Sequence, residues 1–72
     1  MAFDYSKLNG KITEVYGTQY NFADAMGLSE RSVSLKLNGK RRWKQQEIVN
    51  ACNLLKIGIE QIPAYFFAEK VQ

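Results

Sequence analysis

The sequence predicts a compact, all-helical domain, and three observations carry that prediction. Apolar residues recur at three- and four-residue intervals, as in Leu8, Ile12, Val15 and Tyr16 or Ile48, Cys52 and Leu55. Capping residues and glycines punctuate the chain at short intervals: Thr18 and Ser29 precede apolar periods, and Gly17, Gly27 and Gly39 follow them. Finally, 72 residues with one cysteine and no histidine offer neither an internal disulfide nor a Cys/His zinc site, so a single hydrophobic core must hold the fold. Residues 1–72 are therefore read as one domain.

Asp4 is the predicted cap of a first helix, with Phe3 and Leu8 in the two places of a hydrophobic staple. Leu8, Ile12, Val15 and Tyr16 form its inward stripe. Gly10 costs that helix about 1 kcal/mol relative to alanine, and Gly17 ends it. Thr18 caps a second helix, Gln19 to Met26, with Phe22, Ala23 and Met26 inward and Gly27 as its stop. Ser29 caps a third, stapled by Leu28 and Val33. Val33 and Leu37 point inward, whereas Glu30, Arg31, Ser34 and Leu35 fall on the outer side of the 3.6-residue period. Asn38-Gly39 tolerates the left-handed conformation and closes this helix.

A basic turn, Lys40-Arg41-Arg42, leads to a fourth helix from about Gln45 to Leu55, with Ile48, Cys52 and Leu55 inward and Ala51 beside them. Trp43 and Ile48 repeat the staple spacing, so Trp43 is read as a packing anchor rather than a base-stacking platform, and Cys52 as a core residue rather than a reactive thiol. Pro63 fits only the first turn of a short fifth helix after Gly58. The tail, about residues 63–72, carries Tyr65, Phe66, Phe67 and Val71 and is too apolar for a free end. Covering the core is favoured over meeting another chain.

Several function classes are excluded on composition. The longest nearly apolar run, Ile62 to Ala68, has seven residues against the roughly twenty of a membrane span. The lone cysteine and the lack of an export-type start predict a reducing cytoplasm. Without histidine or a glycine-rich phosphate loop, no catalytic site, metal, cofactor or small-molecule ligand is expected.

The net charge of +3 conceals two unlike parts. From Arg31 to Gln46 there are six basic residues, Arg31, Lys36, Lys40, Arg41, Arg42 and Lys44, and no acidic one, on a remainder of −3. Such a patch marks a phosphate backbone or an acidic protein surface, against the plainer alternative of a solvated helix face. Asn38-Gly39 interrupts it, which disfavours a membrane-bound amphipathic helix.

The informative segment runs from Thr18 to Gly39: a capped helix, a glycine turn and a second capped helix in 22 residues. That economy suits a helix-turn-helix, whose tight turn fixes the interhelix angle while the second helix offers its N-terminal residues to the major groove. Gln19, Ala23, Met26-Gly27, Ser29, Val33 and Asn38-Gly39 stand in a pattern that resembles the phage repressor and Cro family of five-helix, lambda-repressor-like domains. With Ser34-Leu-Lys-Leu-Asn-Gly39, the ending Tyr65-Phe66-Phe67-Ala-Glu-Lys-Val-Gln is similar to small lysogeny-switch regulators of phages from Gram-positive hosts, especially the modulator-of-repression (antirepressor) proteins of lactococcal temperate phages.

The resemblance implies two competing mechanisms. In a Cro-like operator binder, Gln19 and Ser29 reach phosphates or a base edge, Arg31 and Ser34 read bases, and Lys36, Lys40, Arg41, Arg42 and Lys44 hold the backbone. In an antirepressor, the same face, with Glu30, Leu35 and Asn38, docks on the N-terminal DNA-binding domain of the lysogenic repressor, with weak DNA contact in the joint complex. Glu30 departs from the neutral donor common in the family: it has the wrong sign for phosphates and suits a basic side chain of a repressor, or it serves the helix dipole for about 0.3–1 kcal/mol. No separate dimerisation segment is visible, so a monomer or weak homodimer is expected. A monomer neutralising about three phosphates would lose roughly fortyfold in affinity between 50 and 200 mM salt. Mixed charge plus an outward leucine tilts the expectation to the repressor, with operator DNA as the second candidate partner.

Overall fold

The computed structural model describes residues 3–69. Five helices follow one another: α1 (Ser6–Tyr16), α2 (Gln19–Met26), α3 (Glu30–Leu37), α4 (Gln45–Leu55) and α5 (Ile62–Phe66), with a 3-10 turn at Ile59–Gln61 before the last. The predicted bounds of α2 and α4 are those observed, and Pro63 occupies the first turn of α5.

Capping chemistry explains most of these limits. Thr18 Oγ1 accepts the Asn21 amide at 3.1 Å, and Ser29 Oγ accepts that of Ser32 at 3.1 Å, each satisfying an N–H that has no partner inside its helix. Between α2 and α3, Gly27 adopts φ +73° and ψ +27°, the left-handed conformation that lets the Leu28 amide reach the Ala23 carbonyl at 2.9 Å. α1 begins one residue later than a cap at Asp4 requires. Tyr5 holds the cap position, and Asp4 Oδ1 instead accepts the Ser6 amide at 2.8 Å.

Leu8, Ile12, Phe22, Ala23, Val33, Ala51, Cys52, Leu55, Ile57, Tyr65 and Phe66 form one buried cluster, against which Tyr16, Met26, Leu28, Leu37, Trp43 and Ile48 pack. Val15, predicted inward, is 45% exposed. Around the axis of α1 it flanks the Leu8–Ile12 line on the side away from Tyr16, and α2 leaves on Tyr16's side, where the Tyr16 and Phe22 rings meet edge-on at 5.6 Å.

The apolar tail divides. Tyr65 and Phe66 enter the core as expected, while Phe67 stays 50% exposed and meets Phe3 edge-on, with centroids 5.9 Å apart. Phe3 therefore turns towards the end of the chain. The Asp4 amide donates to the Ala68 carbonyl at 2.7 Å, and Phe3 pairs with Glu69 in an isolated antiparallel bridge. Val71 lies outside the described residues.

Candidate functional site

α3 and the turn that follows it display most of the residues that the sequence singled out. Ser29 caps the helix, and its hydroxyl also donates to Ser32 Oγ at 3.0 Å. Glu30 and Arg31 are exposed, Ser34 and Leu35 are half-buried, and Asn38 is exposed with its amide donating to the Ser34 carbonyl at 2.9 Å. The inner side of the helix is fixed by buried Val33 and by Leu37 packed against the core, so Arg31 and Leu35 lie nearest the middle of the outer side and Ser34 on its flank. Glu30 sits in the first turn, where the amide ends of the helix favour an acid.

Gln19 reaches this region from α2. Its Nε2 donates to Asn9 Oδ1 at 3.2 Å, which ties α2 to α1, and Gln19 and Asn38 line one shallow polar cleft with Asp4, Tyr5, Asn9 and Leu37. Tyr20, next to Gln19, is 62% exposed. Its place off the Phe22–Ala23–Met26 face is the sequence signal for that exposure.

Lys36 is the correction. Expected on the partner-facing side, it is 3% exposed, and its ammonium lies 2.9 Å from Glu47 Oε1 and 3.1 Å from the Arg42 carbonyl. The physical reason is its position: three residues after Val33, it falls on the inner side of α3, and a charge there persists only when paired. Residue type alone points a lysine outward; its spacing from Val33 does not. Glu47, which the sequence reading passed over, completes the pair and also accepts the Lys44 amide at 2.8 Å. Burial pushes the Glu47 carboxyl up, but the Lys44 and Lys36 hydrogen bonds and the charges of both lysines outweigh it and hold the carboxyl below its ordinary value.

The basic turn itself is open to solvent. Lys40, Arg41, Arg42 and Lys44 are all exposed. Gly39, at φ +74°, lets the chain reverse so that the Lys40 amide meets the Leu35 carbonyl at 2.9 Å. Arg41 folds back on α3, donating to Ser32 Oγ at 3.1 Å. Trp43 is the packing anchor predicted, edge-on to Phe66 at 5.3 Å. The usable positive strip is thus Arg31, Lys40, Arg41, Arg42 and Lys44, with Glu30 as its acidic neighbour.

Other chemistry is sparse. Among the described residues, no three of Cys, Asp, Glu or His gather as metal ligands, and no helix is long and apolar enough to cross a membrane. Cys52 is buried, and burial raises its thiol pKa.

The solution structure of the modulator of repression (MOR) of the temperate bacteriophage TP901-1 from Lactococcus lactis is similar to the whole chain: 61% identity, 100% of this chain and 97% of that one covered, and a TM-score of 0.82. No curated protein sequence matches. A family profile described as "Protein of unknown function (DUF739)" matches residues 1–69, and with nearly the full length covered the chain belongs to that family.

Proposed function

We propose that this protein is a modulator of repression in a phage genetic switch. In this reading it opposes the lysogenic repressor by docking the outer side of α3 and the basic turn on the repressor's DNA-binding domain, in the host cytoplasm and without catalysis or cofactor. The observation that carries this is the 61% identity over the entire chain to a protein that bears that role in its name. α2, the Gly27 turn and α3 serve as a helix-turn-helix whose reading helix meets a protein surface.

The composition of the face supports a protein partner. Glu30 opposes phosphates but suits a basic side chain that the repressor uses on DNA, and Leu35 adds an apolar contact beside it. Any DNA contact in the joint complex falls to the exposed basic turn.

The test is a pair of titrations at about 150 mM salt, a physiological screening length: the purified chain into the cognate repressor, and the chain alone into operator DNA. Saturable repressor binding with weak, sequence-indifferent DNA binding is expected. Tight, sequence-selective operator binding by the chain alone would overturn the proposal in favour of a Cro-like repressor.

A further inference from the structure

Lys36 stands where α3, the basic turn and α4 meet. Its ammonium contacts the Arg42 carbonyl at 3.1 Å and Glu47 Oε1 at 2.9 Å, and lies 6.0 Å from the centroid of the Trp43 ring. The same Glu47 oxygen takes the Lys44 amide at 2.8 Å. Three consecutive residues of the turn are therefore gripped by one ion pair, through a carbonyl, a ring and an amide.

Stability alone does not account for such a pair, since apolar residues of similar volume serve a core equally well or better. A hydrophobic replacement cannot, however, donate to the Arg42 carbonyl or accept from the Lys44 amide. The Arg42 carbonyl lies in irregular backbone, and the Lys44 amide stands just before α4, so neither has a helical partner. The pair supplies direction to a segment that lacks it.

We infer that Lys36 and Glu47 are positioning residues: they fix the basic turn so that Arg41, Arg42 and Lys44 present their charges beside the outer side of α3, and Lys36 itself offers no charge to a partner. This rests on the reading of that face as the docking surface.

The test separates direction from charge. Glu47→Gln and Glu47→Ala both leave Lys36 without its counter-ion, but only glutamine keeps an oxygen for the Lys44 amide. Amide hydrogen exchange of the full-length free variants reads the turn without any partner, and calorimetric titration into the cognate repressor reads its consequence. We expect the Lys44 amide to stay protected in Glu47→Gln and to lose protection in Glu47→Ala, with repressor affinity about tenfold lower for alanine than for glutamine, the scale of one lost hydrogen bond. The double variant Lys36→Met/Glu47→Leu keeps the core filled and should bind as weakly as Glu47→Ala while melting near the wild type. Equal exchange at Lys44 in the two Glu47 variants, or equal repressor affinity of the two, overturns the inference. If the unmodified protein fails to bind the repressor, the partner reading falls, and the exchange comparison still decides the role of the pair.

Discussion

Lys36 and Glu47 face each other at 2.9 Å across the interior, whereas the other basic residues between Arg31 and Gln46 point to solvent. A domain of this size carries about 4–11 kcal/mol of stability in all. Removing one partner strands the other, so Lys36→Ala should cost about 3–5 kcal/mol, read as a lowered urea midpoint with an unchanged slope. Lys36→Met/Glu47→Leu should recover most of that loss.

The same pair gives stability a pH dependence. Because the folded Glu47 carboxyl lies below its ordinary 4.5, its contribution is complete above that value and is lost as pH falls through the lowered folded value. Urea unfolding followed from pH 7 to pH 3 should show a decline that Glu47→Gln makes shallower. An identical decline in the variant would mean that other carboxyls carry it.

At the docking face, Glu30→Lys should weaken repressor binding and strengthen nonspecific DNA binding. Its folding cost should be about 0.6–2 kcal/mol, since a favourable helix-end interaction is exchanged for an unfavourable one. Gel-shift and calorimetric titrations check the two binding changes separately. A variant unchanged in both would remove Glu30 from the contact.

Lys56 ends α4 in the left-handed conformation, at φ +57° and ψ +44°, without being glycine. A side chain there costs about 1–2 kcal/mol, partly offset by glycine's larger freedom in the unfolded chain. Lys56→Gly should therefore raise stability by roughly 0.5–1 kcal/mol, seen as a higher melting temperature.

Cys52 is buried and its thiol pKa is raised by that burial, so it should resist modification while the fold is closed. Labelling by a thiol reagent is expected to follow the opening rate of the core and to become fast in denaturant. Rapid labelling of the folded protein would contradict the observed packing.

The helices were legible wherever a chemical mark coincided with the end of an apolar period. Thr18 and Gly27 bracket α2, and Ser29 and Gly39 bracket α3, because capping and the left-handed turn are local properties of those residues. Legibility failed where a neighbour decided the outcome. Val15 satisfies the period of α1, yet the direction in which α2 departs leaves it exposed. Ile57, without helical periodicity around it, gave no local sign of entering the core. In the candidate site, the exposure of Glu30, Arg31 and the turn follows from their charge, whereas Lys36, three positions after Val33, is held inside by Glu47, eleven positions later.

The Gly27 turn has a consequence for building the protein by chemical synthesis. Its backbone occupies the mirror image of an ordinary helical conformation, and an added Cβ would meet nothing within 4 Å. An L-alanine there is strained by handedness rather than by space, and the opposite enantiomer removes the strain of handedness. D-alanine at position 27 should stabilise the fold by about 0.4–1 kcal/mol through a less mobile unfolded chain. The junction between α2 and α3 would thus be stiffened by a single inverted stereocentre, with every side chain of the docking face left as it stands.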